Sequence, residues 1–329
     1  MFAVALSGAL VVPTASASTV SGPPGHRQAE GLITFMRQDA SGFWQTWVAR
    51  PDRSRQRQLT SGDAGSGWPV LSPRRAEVAF DSDRTDPDPS DDTGVNDVFV
   101  IRSDGTGLRQ VTDSVGFSSD PGWSPDGRSL AVSADRGDYP ASQGIYVLRA
   151  NGTGLRRITT LPDGASLDSA PRFSPSGRHL VFTRYAYEGD QELGALFVVR
   201  TDGTRERQVT PYSLNANDAT WSPDGRTLAL EAYPSPSSRG DVYTVRSDGT
   251  KLRNLTRNDA RLAGSGDPVW SPDGRRIMFL DSMRANEETE FALGLAVMTP
   301  QGRRRHFVAD PGTEAQSEHQ PDWQDYSRR

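Results

Sequence analysis

The sequence predicts an all-β chain folded as a six-bladed β-propeller with four antiparallel strands per blade, and three observations carry that prediction. Trp-Ser-Pro-Asp-Gly-Arg is written out in full at residues 123–128, 221–226 and 270–275, with altered copies at 71–75 and 173–178. The Ser-Pro pairs begin at Ser72, Ser124, Ser174, Ser222 and Ser271, in steps of 52, 50, 48 and 49 residues. A second punctuation mark follows each of them, at Asp104-Gly105, Asn151-Gly152, Asp202-Gly203, Asp248-Gly249 and Gln301-Gly302. A self-similar period spanning the chain means that one supersecondary unit is used repeatedly. The third observation lies at the chain ends. Residues 31–36, 46–50 and 56–60 read as the last three strands of a unit with no first strand. Pro321-Asp322-Trp323 repeats the Pro-x-Trp of a first strand with little after it. Joining tail to head completes a sixth blade and removes the exposed edges that invite aggregation.

The third unit shows why each element forms. Residues 121–123 make a short strand, and Ser124-Pro125-Asp126-Gly127 turns the chain: proline presets φ and glycine closes the turn. Residues 128–133 alternate Leu130 and Val132 with the smaller Ser129, Ala131 and Ser133, the period of a half-buried strand. Residues 145–149 follow, then Asn151-Gly152 as a hairpin signal, then 155–159. Four short strands joined by hairpins at this period are the signature of a propeller blade. The later strands of the other units are 77–80, 98–101 and 108–112; 179–183, 196–200 and 207–210; 227–231, 242–246 and 252–256; and 276–280, 295–299 and 305–308.

Composition narrows the function. The 329 residues carry 37 Lys and Arg against 42 Asp and Glu, a net charge of −5 that gives no overall footprint for nucleic acid. Lys251 is the only lysine, and the absence of cysteine excludes disulfides and thiol catalysis. Residues 2–12 form an apolar run too short to span a bilayer, followed by Ala15-Ser16-Ala17. An apolar run before a small-x-small site reads as a cleaved export signal over 1–17, although no Lys or Arg precedes it. Residues 18–28, with Gly22-Pro23-Pro24-Gly25, read as a flexible linker, and 29–329 as the propeller. No other segment is expected to cross a membrane.

Pro-x-Trp-Ser-Pro-Asp-Gly-Arg, an apolar strand, an aromatic strand ending in Asp-Gly-Thr, then Leu/Val-Thr resembles the WD40-like repeat of the TolB-type propellers over residues 31–323. The resemblance implies a stand-alone propeller without the N-terminal α/β domain of that family. It further implies a monomeric binding module for an envelope or secreted protein or peptide partner, engaged over the channel mouth. The export signal places it in the periplasm, on the cell wall or outside the cell.

Candidate site residues follow from position in the repeat. Trp123, Trp221, Trp270 and Trp323, with Phe173 and Leu71 in the same place, read as blade-to-blade packing rather than sugar stacking. Arg50, Arg102, Arg149, Arg200 and Arg246 end the third strands and read as turn or surface arginines. The residue before each Pro-x-Trp enters the innermost strand near one channel mouth: Trp68, Asp120, Ala170, Asp218, Asp267 and Gln320, with His319 beside the last. Asp120, Asp218 and Asp267 would repel one another there, so they raise a pKa or hold a cation or basic group. Oxygen donors of this kind suit Ca²⁺ or Mg²⁺, although a role in fixing each loop needs no ligand at all. The acidic run 81–92 lacks the Gly and Glu of an EF-hand and reads as a solvated loop.

Catalysis has little support. No G-x-S-x-G elbow is present, and His26, His179, His306 and His319 form no metal-ligand spacing. No catalytic residue and no resident cofactor is assigned. The alternative to a non-enzymatic module is a propeller-type carbohydrate lyase or glycoside hydrolase using paired carboxylates at the mouth.

Overall fold

The structure is a computed structural model that describes residues 31–86, 96–113, 115–235, 237–257, 264–283, 292–308 and 318–324, with backbone only at 282–283, 292–293 and 318–319. The expected leader 1–17 and linker 18–28, and the acidic run from residue 87 onward, lie outside these residues.

Six four-stranded antiparallel sheets make the fold. Blade 1 holds β1 (Leu32–Gln38), β2 (Trp44–Ala49) and β3 (Arg57–Gln58). Blade 2 holds β4 (Ser66–Leu71), β5 (Glu77–Ser82), β6 (Asp97–Arg102) and β7 (Arg109–Gln110). Blade 3 holds β8 (Ser118–Trp123), β9 (Ser129–Ala134), β10 (Gly144–Arg149) and β11 (Arg156–Arg157). Blade 4 holds β12 (Ala165–Phe173), β13 (His179–Glu188), β14 (Gln191–Arg200) and β15 (Arg207–Gln208). Blade 5 holds β16 (Ala216–Trp221), β17 (Thr227–Ala232), β18 (Asp241–Arg246) and β19 (Arg253–Asn254). Blade 6 holds β20 (Ser265–Trp270), β21 (Ile277–Met283), β22 (Ala292–Met298) and β23 (His306–Phe307). The last strand, β24 (Glu318–Gln324), pairs with β1, placing Trp323 opposite Ile33, so blade 1 is closed by the chain's tail as its sequence predicts. Among the described residues no helix is long and apolar enough to cross a membrane.

The repeat motif has a local cause. Ser124 Oγ donates to Asp126 Oδ1 at 2.7 Å and accepts from the Ser129 N–H at 2.9 Å, while Asp126 Oδ1 also accepts from the Arg128 N–H. Ser222–Asp224 and Ser271–Asp273 repeat the arrangement, so the two side chains supply the bonds that the tight turn denies the backbone. The outermost strands are shorter than the sequence predicts, only two residues each. There the threonine of the Leu/Val-Thr mark takes over from the ladder. The hydroxyls of Thr60, Thr112, Thr159, Thr210 and Thr256 accept the Thr46, Val98, Ile145, Leu196 and Val242 N–H groups.

The core lies between blades. Val70, Val98 and Val100 of blade 2 pack with Trp123, Leu130 and Val132 of blade 3, and the other interfaces follow suit. Trp123 Nε1 donates to the Val70 carbonyl at 3.1 Å and Trp221 Nε1 to Arg172 at 3.0 Å, each fastening its blade to another innermost strand. The tryptophans therefore pack between blades, and Trp123, Phe173, Trp221 and Trp323 also show an edge to a 320 Å³ cavity at the turn end of the channel.

Candidate functional site

Trp68, Asp120, Ala170, Asp218, Asp267 and Gln320 share one unusual backbone state. Their φ angles are 46°, 53°, 49°, 48°, 47° and 53°, all in the left-handed region. The register of each innermost strand shifts there, as between Ser119 and Gly122 or Gly266 and Val269. Asp tolerates this conformation better than most non-glycine residues, which is one physical reason for its use at three of the six positions.

The shift frees an N–H from the ladder, and a neighbouring side chain takes it. The Trp68 N–H donates to Gln320 Oε1 at 3.0 Å, the Ala170 N–H to Asp120 Oδ2 at 3.2 Å, and the Gln320 N–H to Asp267 Oδ2 at 3.0 Å. At two other positions the acceptor comes from the second strand of the preceding blade, even though Asp218 stands at the equivalent place before Asp267. The Asp120 N–H donates to Asp81 Oδ2 and the Asp267 N–H to Glu231 Oε2, both at 3.2 Å. Inter-blade clamps of this kind therefore stand at five of the six positions, and four of the five acceptors are carboxylates.

These clamps divide the predicted residues. Asp218, Asp267 and Gln320 line one cavity of ≈ 40 Å³, with Trp68, Ala170 and Arg172. Asp120 does not join them. It is buried, its Oδ2 accepts the Ala170 N–H, and it lies outside that cavity's lining while still acting on Asp218 through its charge. Glu231 takes its place: carboxylate oxygens of Asp218, Glu231 and Asp267 lie within 4.8 Å of one another. His319 stands opposite Met36 in β24, and its side chain is outside the described residues. Asp81, read from sequence as loop, is a buried strand residue. The missed residues, Asp81 and Glu231, had a signal: each is a carboxylate that directly follows three apolar residues of a second strand, 78–80 and 228–230. Gly266 makes room for Glu231, because a Cβ there would stand 2.6 Å from its carboxylate atoms.

The electrostatics follow. Glu231 is pushed up to about 7 by burial and then by Asp267, against bonds from Tyr233 and the Asp267 N–H. Asp218 is raised well above the usual carboxylate range by loss of solvent, then by Asp267, Glu231 and Asp120, with Arg172 opposing. Among the described residues no donor stands on the Asp218 carboxylate. Asp81 is pushed up to about 8 by burial and then by Asp120. At the channel waist Arg172 Nη1 donates to the Pro171, Pro121 and Asp120 carbonyls at 3.0, 3.3 and 3.4 Å. Among the described residues the mouth is thus a cluster of carboxylates with the Arg172 guanidinium held beside it by backbone oxygens.

Comparison with known proteins agrees with this architecture. No family model matches the chain. It is 28% identical over 189 residues, 56% of this chain and 38% of the relative, to the protein TolB homolog of Chlorobium luteolum. It is 25% identical over 198 residues, 60% of this chain and 27% of the relative, to the uncharacterized peptidase YuxL of Bacillus subtilis. The chain therefore matches well under half the length of either curated relative. Among solved structures, TolB from Acinetobacter baumannii superposes with a TM-score of 0.67 at 20% identity, covering 90% of this chain and 67% of that one. The chain is a TolB-like six-bladed β-propeller.

Proposed function

We propose that the chain is an exported, non-enzymatic binding module that takes a cationic group of an envelope or secreted protein partner into the carboxylate mouth of its channel. The observation carrying this reading is the convergence of Asp218, Glu231 and Asp267, with no donor on the Asp218 carboxylate among the described residues. Like charges this close lower their energy by taking a proton or a cation. The same oxygens fit a Ca²⁺ or Mg²⁺ ion: donors facing each other across a calcium lie about 4.8 Å apart, given Ca–O distances near 2.4 Å. The leader-like residues 1–17 support export, and the closed ring supports a monomer.

Calorimetry with Ca²⁺, Mg²⁺ and an oligolysine peptide tests the site. The parent should bind one of these probes, more tightly at pH 8 than at pH 6 because Glu231 is charged above about 7, and more weakly as salt screens the charges. Asp218→Asn combined with Glu231→Gln and Asp267→Asn keeps size and acceptors while removing charge, and should weaken binding by about tenfold or more. Binding unchanged by that variant would refute the reading.

A further inference from the structure

The other end of the disc carries the opposite charge. Each innermost strand runs away from the carboxylate mouth, the second returns and the third runs away again, so the turns joining third to fourth strands lie at the far end. Those turns, 50–57, 102–109, 149–157, 200–207, 246–253 and 299–306, hold 18 of the chain's 37 Lys and Arg but 5 of its 42 Asp and Glu. Four of the five carboxylates, Asp52, Asp104, Asp202 and Asp248, accept hydrogen bonds within their own turns from Ser54, Thr106, Thr204 and Thr250. The fifth, Glu206, is ion-paired with Arg184 at 2.5 Å.

The rim is built by position. Each turn has two left-handed places, and the second is Gly107 and Gly154 in blades 2 and 3 but Arg55, Arg205, Lys251 and Arg304 elsewhere, these four exposed, with φ of 55°, 56°, 58° and 58°. A glycine there would relieve the backbone, so the cations are not explained by turn geometry. The following residue is Leu108, Leu155 and Leu252 in blades 2, 3 and 5, left 46%, 36% and 43% exposed. Among the described residues these three are half of the six large apolar side chains left exposed, and they recur at one structural place.

We propose that this end of the disc docks on an anionic lipid surface, with its basic turns against the headgroups and Leu108, Leu155 and Leu252 entering the boundary between headgroups and acyl chains. Leucines on three different blades point to a plane: a partner with a single pocket or groove does not reach blades 2, 3 and 5 together. A linear polyanion satisfies the arginines and has no use for the leucines. Interleaved basic and apolar groups are the pattern of proteins that lie in a membrane interface. Segregated charge also orients a chain of net charge −5, turning its acidic mouth away from the negative surface and toward a partner.

Co-sedimentation with vesicles tests this, using the same chain from residue 18 in every arm. The parent should bind mixed phosphatidylglycerol–phosphatidylcholine vesicles at low salt, release as salt rises, and ignore phosphatidylcholine alone. Replacing Arg55, Arg205, Lys251 and Arg304 together by Gly, the residue blades 2 and 3 already use, should abolish binding with the melting curve retained. Leu108→Ser with Leu155→Ser and Leu252→Ser should weaken partitioning by about tenfold or more, as lost apolar insertion requires. The proposal is overturned if the parent does not sediment with the anionic vesicles. It is equally overturned if the leucine variant binds them as the parent does, which would assign the rim to a soluble polyanion. The Asp218→Asn, Glu231→Gln, Asp267→Asn variant should bind vesicles like the parent, so failure at the mouth and failure at the rim are read separately.

Discussion

Deletion of residues 318–329 is expected to destroy the fold rather than trim it. β24 is the innermost strand of blade 1, and Trp323 is 5% exposed, packed with Ile33, Phe35 and Val269 between blades 6 and 1. Removing a buried Trp alone costs roughly 3–5 kcal/mol. The deletion also removes Gln320 and Asp322, whose side chains accept the Trp68 and Leu71 N–H groups at 3.0 and 2.7 Å. Two part-buried N–H groups then lose their acceptors, and the Trp loss alone is a large share of a total stability typically of about 5–15 kcal/mol. The truncated chain should be insoluble or melt far below the parent. A melting curve that overlays the parent's would refute ring closure by the tail.

Stability should fall as pH rises from about 5 to 8, the reverse of ordinary acid denaturation. Asp81 and Glu231 are raised to about 8 and about 7 in the folded state, while unfolded carboxylates titrate near 4. Below pH 4 both states hold the protons and these groups contribute nothing to the pH dependence. Between about 4 and 8 the native state holds protons that the unfolded chain releases, so each step up in pH favours unfolding, and the slope ends once both groups ionise. Asp81→Asn keeps an acceptor for the Asp120 N–H and removes the buried charge. It should raise the melting temperature at pH 8 by roughly 5 °C or more and change little at pH 4.5, where the carboxyl is already neutral in the fold. A parent curve that climbs from pH 5 to pH 8 would contradict the raised carboxylates.

The blades were legible in the sequence because their turns demand particular residues. Ser124, Pro125, Asp126 and Gly127 each meet a separate requirement of one tight turn, and the same four letters recur wherever that turn recurs. The place of the site was legible for the same reason: the residue before Pro-x-Trp is left-handed in all six blades. Its membership was less so. Asp120 and Asp218 are equivalent in sequence, yet Asp120 is spent on the Ala170 N–H while Asp218 meets no donor among the described residues, a difference made by neighbouring blades. Glu231 belongs to a second strand and enters the site only by reaching across Gly266 of the next blade. Charge segregation was hidden behind a single net charge of −5, since counting residues says nothing about which end of a blade they occupy.

The mouth as a cation-seeking site is tested most directly by following the Glu231 carboxyl carbon by NMR against pH, with and without added Ca²⁺. A shared negative site predicts a protonation midpoint near 7 in the metal-free protein, because burial and Asp267 hold the proton on. It further predicts that Ca²⁺ lowers the midpoint by about one unit or more, as an opposite charge at ligand distance must. A midpoint in the ordinary carboxylate range, unmoved by Ca²⁺, would show that Asp218, Glu231 and Asp267 do not act as one site.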